Sequence, residues 1–204
     1  MGINIKMKRK FQYYIYKILD IIFGFFQHCI SFVIFLYWGV NFNKTIKLYG
    51  IIRIRNLNKI TIGSNTRIIS GTRNVVGLST RTFFETGQNG NIIIGSNVGM
   101  SNCILVSQES IIIEDFVYIG GGVKIYDNDF HSLNFNQRIY NPTLIPKSSI
   151  LIKYGSFIGA HSIILKGVVV GRMAVVGAGS VVTKSIPDNE IWAGIPAKKI
   201  GVVK

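Results

Sequence analysis

An aliphatic residue recurs at every sixth position between residues 152 and 182, and this period restricts the fold more than any other feature of the sequence. The six positions are Ile152, Ile158, Ile164, Val170, Val176 and Val182. An α-helix has a period of 3.6 and a β-strand a period of 2, so neither explains a period of six. The repeat predicts an all-β fold, a left-handed parallel β-helix, in which three hexapeptides complete one coil and the aliphatic side chains fill the interior.

The same signature is less regular between residues 41 and 125. Short β-like runs such as IIRIRN, KITIGSNTRIISG and NIIIGSN alternate with turn residues. From Ile94 the six-residue step reaches Met100 and Val106, slips by one residue over 107–110, and resumes at Ile113. We interpret this region as earlier, looser coils with the slip at a corner.

The repeat is lost between Tyr126 and Ser149. This segment is polar, contains Pro142 and Pro146, and separates two blocks that keep the period. We therefore predict a loop extruded from the β-helix, and a long ordered insertion of this kind usually has a functional role. The loop also contains His131.

The N-terminal region is basic and then strongly apolar. Residues 21–40 contain no charged side chain, which leaves several interpretations open. The region could be a signal peptide, although it lacks a small-residue cleavage site, or a spanning helix of sufficient length. We favour one or two helices that lie on a membrane or pack together, a placement that is compatible with a cap on the open end of the β-helix. The basic residues expected near lipid phosphates are Lys6, Lys8, Arg9, Lys10 and Lys17.

The net charge restricts the partners. The chain has 23 Lys and Arg against 9 Asp and Glu, a net charge of +14, and Asp20 is the only acid before residue 60. Such an excess favours an anionic partner: nucleic acid, an anionic membrane or phosphorylated substrates. No nucleic-acid-binding motif is present, which argues against the first. Cys29 and Cys103 are too far apart in sequence for a metal or redox motif and are typical of a reducing compartment.

These features divide the chain into three parts. Residues 1–45 form the basic, hydrophobic helical segment, which associates with a membrane or caps the β-helix. Residues 46–190 form the β-helix with its extruded loop at 126–149, and residues 191–204 form a C-terminal tail.

The loop histidine is the first candidate for chemistry. His131 follows Asp127 and Asp129, and a nearby carboxylate can orient an imidazole and raise its basicity, as a general base near neutral pH requires. A solvated loop histidine is the competing interpretation. His28 is expected to be structural, and His161 is either structural or part of a site. The three histidines show no short ligand spacing, so we predict no metal.

The C-terminal motifs GAGSVVTKSIP and WAGIPAKKI are the second candidate. Backbone amides around Ala178 could approach a ligand closely, while Lys184, Lys198 and Lys199 could pair with phosphates. Two corners and a solvated basic tail would give the same composition.

Taken together, the hexapeptides, the DNDFH loop, the GAGSVVTK coil and the terminal GIPAK resemble the hexapeptide-repeat acyltransferases. Over residues 60–200 the chain is most similar to the maltose and galactoside acetyltransferases and the xenobiotic acetyltransferase-like branch. With its hydrophobic N-terminal extension it resembles the O-acetyltransferases of capsular and other surface polysaccharides.

This resemblance implies roles for particular residues. His131 matches the family's general base, and either Asp127 or Asp129 would have to substitute for the acidic partner that the sugar acetyltransferases take from their N-terminal helix. The amide of Ala160 matches a contact to the thioester carbonyl of acetyl-CoA, and Ala178 a contact to pantetheine. The remaining implied positions are Thr183, Lys184 and Lys198 near the adenosine phosphates, and Ser101 or Asn102 on the acceptor side.

The resemblance also implies a homotrimer with each active site between subunits, acetyl-CoA as donor, and a glycan or sugar nucleotide as acceptor. We therefore expect an O-acetyltransferase of surface polysaccharide synthesis at the cytoplasmic face of a bacterial membrane. The alternatives are N-acylation of a nucleotide-linked amino sugar and a non-catalytic membrane-bound scaffold. Two departures stand out: Phe157 replaces a common Trp, and a hydrophobic, basic segment replaces the N-terminal helical segment of the sugar acetyltransferases.

Overall fold

Three sheets of mainly parallel strands form a prism in the computed structural model, which describes residues 5–74, 76–141 and 144–204. Sheet A contains β1 (Asn41–Phe42), β4 (Lys59–Ile62), β7 (Asn91–Ile94), β10 (Ile111–Ile113), β13 (Ile150–Ile152) and β16 (Val169–Val170). Sheet B contains β2 (Lys47–Tyr49), β5 (Arg67–Ile69), β8 (Gly99–Ser101), β11 (Tyr118–Ile119), β14 (Phe157–Ile158), β17 (Val175–Val176), β19 (Glu190–Gly194) and β20 (Ala197–Val202). Sheet C contains β3 (Arg53–Asn56), β6 (Phe83–Thr86), β9 (Ile104–Ser107), β12 (Lys124–Tyr126), β15 (Ile163–Leu165) and β18 (Val181–Val182). Successive strands enter successive sheets, so the chain coils.

Aliphatic side chains of successive coils lie above one another inside the prism. In sheet A, Ile62, Ile94, Ile113 and Ile152 occupy one register position, and each is buried. Burial of such a side chain contributes about 1.5–3 kcal/mol, so every coil adds to the core. The six aliphatic residues that defined the repeat are all 0% exposed, which confirms the prediction of inward positions.

The register at the coil after Met100 differs from the prediction. Leu105, and not Val106, pairs with Ile125 and lies in the core. The step therefore shortens at the corner formed by Asn102, whose φ of 47° is left-handed, a conformation that Asn tolerates better than most residues. The predicted phase was wrong by one residue because Val106 is also aliphatic and almost fully buried, so hydrophobicity alone could not separate the two neighbours.

Within the described residues, the chain leaves the prism at two places. The predicted loop begins after β12 and ends before β13, and it contains a short helix, α2 (Phe135–Tyr140). A second excursion, over residues 70–82 between β5 and β6, contains a 3-10 turn, Gly71–Arg73. The sequence predicts only looser coils there, and its pattern does not indicate this excursion. Residues 1–4 and Pro142, which the predictions include, lie outside the described residues.

The N-terminal segment is a single helix, α1 (Ile5–Tyr37), which confirms the predicted helical segment. Its C-terminal half packs on the first coil: Phe35 is 0% exposed, and the Ser31 hydroxyl donates to the Gly50 carbonyl at 2.8 Å. The Ser31 oxygen also accepts from the Ile52 amide at 3.1 Å. By length and composition, Arg9–Tyr37 suffices to cross a membrane, with a mean hydropathy of 2.0.

The C-terminal residues form a hairpin. β19 pairs in parallel with β17, and β20 returns antiparallel to β19. Residues 191–204, predicted as a tail, therefore extend sheet B.

Candidate active site

The root of the predicted loop is fixed by the carboxylate of Asp127, which is fully buried. One oxygen accepts hydrogen bonds from the Ser107 hydroxyl at 2.7 Å and the Glu109 amide at 2.9 Å. The other accepts from the Gln108 amide at 2.8 Å and from Asn128 at 3.2 Å. Both oxygens are thus occupied at the turn after β9, and neither bonds to His131.

The two ends of the loop are joined through their backbones. The Ser148 amide donates to the Asp127 carbonyl at 2.8 Å, and the Asp129 amide donates to the Pro146 carbonyl at 3.1 Å. Because entry and exit are fixed to each other, the loop begins from a defined position on the prism.

Asp129 combines a fixed backbone with one free carboxylate oxygen. Oδ1 accepts from Lys166 Nζ at 2.7 Å, and Lys166 directly follows β15 of the next coil. Oδ2 is buried and has no partner among residues 5–74, 76–141 and 144–204. The Asp129 carbonyl accepts from the His131 amide at 2.6 Å. Of the two carboxylates predicted to orient His131, Asp129 is the one with an oxygen to spare.

The His131 side chain is exposed, and its ring forms no hydrogen bond within the described part of the chain. Its backbone is nevertheless held in place, because Phe130 has a left-handed φ of 60° and its amide donates to the Asn128 side chain at 2.9 Å. The Phe130 ring also packs edge-on against Tyr126, with 5.1 Å between centroids. The backbone at His131 is therefore fixed by its neighbours, while the imidazole itself is exposed.

The other two histidines have different surroundings. His161 is exposed at a corner with a φ of 61°, where the neighbouring coils carry Gly122 and Gly179, also at positive φ. His28 lies on α1, with Nδ1 3.2 Å from a backbone carbonyl of β2. In residues 5–74, 76–141 and 144–204, no three His, Cys, Asp or Glu side chains form a group that could hold a metal ion.

Two backbone amides at that same corner make no hydrogen bond within the described residues. The amide of Gly159 donates to the carbonyl of Val176, as the sheet requires, but the next amide, that of Ala160, has no acceptor among the described residues. One coil further on, the amide of Ala178 likewise has none there. Both alanines are accessible, so adjacent coils present two unused N–H donors.

The predicted phosphate-binding residues lie near the C-terminal end of the prism. Thr183 and Lys184 follow β18, Lys198 is in β20, and all three are exposed. Lys199 instead donates to Glu190 at 2.6 Å and, together with Trp192, lowers the pKa of that carboxyl. Within the described residues, Lys184 and Lys198 form no ion pair, so their charges are available.

Ser101 and Asn102, the two acceptor-side candidates, differ in whether a ligand can reach them. Asn102 is 1% exposed; its amide group donates to the carbonyls of Gly71 and Thr80, and its side-chain oxygen accepts from Asn74. It holds the second excursion in place. Ser101 lines an open groove of about 340 Å³ on the outside of sheet B, so only Ser101 can reach a ligand there.

Sequence reasoning missed two other residues in this groove, Arg67 and Tyr118. They share one register position with Gly99 and Phe157 on successive coils. Each of the four immediately precedes an inward aliphatic residue, so the six-residue template could have identified them. Because Gly99 has no side chain, the Tyr118 ring approaches the backbone at that position.

Comparison with known proteins agrees with this architecture. A profile described as the hexapeptide repeat of succinyl-transferase matches residues 154–184. WbbJ from Escherichia coli, named as a lipopolysaccharide biosynthesis O-acetyl transferase, is 32% identical over 154 residues, which are 72% of this chain and 74% of that protein. The chain belongs to the hexapeptide-repeat acetyltransferases. The predicted left-handed parallel β-helix and the predicted family are confirmed.

Other hexapeptide-repeat relatives match over different shares of their length. Galactoside O-acetyltransferase from Escherichia coli is 34% identical over 58% of this chain and 56% of that enzyme, so the chain spans little more than half of it. A Vibrio cholerae hexapeptide-repeat acetyltransferase solved with acetyl-CoA has a TM-score of 0.54 and 29% identity, over 59% of this chain and 65% of that one. A mutant of AntD, a Bacillus cereus N-acyltransferase solved with dTDP and coenzyme A, has a TM-score of 0.57 and 27% identity, over 81% of this chain and 83% of that one.

Proposed function

We propose that this acetyltransferase moves an acetyl group from acetyl-CoA to a sugar hydroxyl during synthesis of a surface or capsular polysaccharide. The observation that carries the proposal is the similarity to WbbJ across 72% of the chain. The acetyl-CoA in the Vibrio cholerae structure supports the choice of donor.

His131 is the proposed general base. It takes the proton from the sugar hydroxyl as that oxygen attacks the thioester carbon; the C–S bond then breaks, and the proton passes to the departing thiolate. The products are the acetyl ester and free coenzyme A. Its exposure and its ring without a partner in the described residues suit this role, and Asp129 Oδ2 is the proposed acceptor that orients it.

The transfer is proposed to be direct, without an acyl-enzyme. A covalent route needs an activated nucleophile beside a base. Cys103 cannot supply one, because burial raises the pKa of its thiol to about 12 and the side chain is 0% exposed. Cys29 is on the surface of α1, far along the chain from the loop.

Backbone donors and cations are proposed to bind the coenzyme. The unused amide of Ala160 would donate to the thioester oxygen as negative charge develops, and loss of one such donor typically costs about 3–4 kcal/mol. The amide of Ala178 would meet the pantetheine arm. Thr183, Lys184 and Lys198 would contact the phosphates.

The acceptor site and the assembly complete the proposal. The groove that contains Ser101, Arg67 and Tyr118 is proposed to bind the acceptor sugar, with Phe157 forming one wall. We propose a homotrimer in which a groove of one subunit faces the loop of its neighbour. We propose that the reaction occurs on the cytoplasmic side of a bacterial membrane, with an acceptor linked to a lipid or a nucleotide.

The test replaces His131 with Ala and measures acetylation of surface polysaccharide in cells that depend on the variant. We expect a loss on the order of 10²–10⁴ in rate, the usual contribution of a general base. Asn136→Ala is the matched control, because Asn136 is exposed in α2 and its side chain bonds to no described residue. His131→Ala protein that assembles normally and retains half of the wild-type rate would disprove the assignment.

A second candidate is N-acylation of an amino sugar on a nucleotide carrier. It is favoured by 49% identity over 53 residues to a dTDP-3-amino-3,6-dideoxy-galactose N-acetyltransferase from Aneurinibacillus thermoaerophilus, and by the AntD structure. The two products differ in stability, since mild hydroxylamine cleaves an ester and leaves an amide intact. If acetyl groups remain on the product after the treatment, the acceptor is an amine and not a hydroxyl.

A further inference from the structure

Helix α1 has two distinct faces from Asp20 onward. One face, the inner face, is buried or half-buried against the first coil and repeats at helical spacing. It contains Asp20, Gly24, Gln27, Ser31 and Phe35. The residues before Asp20 whose side chains are described, 9–19, are all exposed, so the β-helix supports only the C-terminal half of the helix.

The inner face is attached by specific polar contacts. Arg73, in the second excursion, donates to the Asp20 carboxylate at 2.5 Å and to its carbonyl at 2.7 Å. Its third nitrogen donates to the Gln27 side chain at 2.9 Å. The Arg73 side chain is only 17% exposed, and hydrogen bonds to charged groups that are shielded from water are the stronger class. The excursion therefore holds α1 on the prism.

The opposite side of the helix, the outer face, is apolar and open to solvent. It contains Ile21, Ile22, Phe25, Phe26, Ile30, Val33, Leu36 and Tyr37, each at least 45% exposed. Residues 21–37 carry no charged side chain. A continuous apolar surface of this size is rare on a protein that stays free in water and indicates an interaction surface.

Cations precede the outer face. Arg9, Lys10 and Lys17 are exposed, and Lys17 lies over the Tyr13 ring at 4.9 Å. The only acid of the region, Asp20, is already paired with Arg73. A second copy of the chain would bring the same positive charges together, whereas anionic lipid headgroups attract them.

The contacts also limit how the helix can meet a membrane. Residues 5–19, which lie ahead of the docked half, give roughly 22 Å of helix at about 1.5 Å per residue. A bilayer's hydrocarbon core is about 30 Å thick. A spanning helix would have to use residues 21–37, which would place Gln27 and Ser31 in hydrocarbon, remove the inner face from the first coil and separate Asp20 and Gln27 from Arg73.

We infer that α1 binds an anionic lipid bilayer along its surface, with the outer face at the boundary between headgroups and acyl chains and the inner face still docked on the β-helix. The helix then neither crosses the membrane nor leaves the prism. This orientation depends on α1 and its contacts alone, and is independent of the proposed acetyl transfer.

The first experiment measures sedimentation of the full-length chain with phosphatidylcholine vesicles that contain or lack phosphatidylglycerol. We expect binding to the anionic vesicles, weakened roughly tenfold or more by Arg9→Gln/Lys10→Gln. The control, Lys59→Gln/Lys124→Gln, removes the same charge from exposed sites on the β-helix and should bind like wild type. Absence of binding, or equal loss in both variants, would overturn the inference.

The second experiment measures how deeply residues of α1 lie in the bilayer. Cys29 is exposed and Cys103 is buried, so a maleimide fluorophore labels α1 alone, and lipids with quenchers at different depths locate it. A second probe, Ile22→Cys in a Cys29→Ser background, reports the depth of a residue of the outer face. We expect the two probes to lie at shallow and similar depths, because the helix lies along the bilayer surface. A probe near the bilayer centre would establish a spanning helix, and protection of Cys29 from labelling without lipid would establish a second copy as the occupant; either result overturns the inference.

Discussion

The buried carboxylate of Asp127 can be tested directly. A catalytic role predicts a loss of acetyl-transfer rate on substitution, whereas a structural role predicts a loss of stability. The sequence predicts either Asp127 or Asp129 as the partner of His131, whereas in the structure Asp127 accepts four hydrogen bonds from residues 107–109 and from Asn128. We predict that Asp127→Asn acts mainly on stability.

The magnitude follows from the individual contacts. In Asp127→Asn, one oxygen remains to accept from the Gln108 amide and from Asn128, while the new NH2 group faces the Glu109 amide, which is itself a donor. The Ser107 hydroxyl can reverse its role and accept. The variant therefore loses one charge-assisted hydrogen bond, leaves one amide donor unsatisfied and weakens the remaining contacts, for a total of about 2–4 kcal/mol.

The assay is thermal unfolding together with the acetyl-transfer rate. For a chain of this length, about 1 kcal/mol corresponds to roughly 2–4 °C, so we expect the midpoint to fall by roughly 4–16 °C. Asp115→Asn is the matched control, because that exposed carboxylate accepts one hydrogen bond, from the Ser96 amide at 2.7 Å. Unchanged stability of Asp127→Asn with a large loss of rate would refute the structural role and restore the catalytic one.

Three further predictions concern other parts of the molecule. Gly159→Ala should lower stability by about 1–3 kcal/mol or more in denaturant titration, because the new Cβ would lie 2.5 Å from a backbone nitrogen of the next coil. Thiol titration near pH 8 should detect Cys29 in the native protein and Cys103 only after unfolding, since burial raises the pKa of the Cys103 thiol to about 12; rapid reaction of both would contradict this. The C-terminal hairpin should lose stability as pH falls below the ordinary carboxyl range, because the hydrogen bond from Lys199 lowers the pKa of Glu190 and protonation removes it. Melting curves at several pH values should show this loss in wild type and less of it in Glu190→Gln.

The extruded loop and the regular coils were predictable because their signals are local. A strict period leaves one inward position in six, and its interruption after Tyr126 is visible without knowing any contact. The predicted inward position was wrong at Leu105, because its neighbour Val106 is also aliphatic. Only the pairing of Leu105 with Ile125 decides the register.

The roles of polar residues were less predictable, because they depend on partners far along the chain. Asn102 and Ser101 are adjacent in sequence. The Asn102 side chain is hydrogen-bonded to the second excursion, whereas Ser101 lines an open groove. No local pattern predicts the second excursion, because residues 70–82 include turn residues like those of an ordinary corner.

The sequence by itself determined the β-helix, the loop that contains His131 and an apolar, basic N-terminal helix, because each depends on the spacing or composition of neighbouring residues. Tertiary structure decided which carboxylate is free, which acceptor-side residue is accessible and how α1 is held on the prism. The physical reason is that a charge or hydrogen-bonding group acts through its partner, and Arg73 meets Asp20 across 53 positions of sequence.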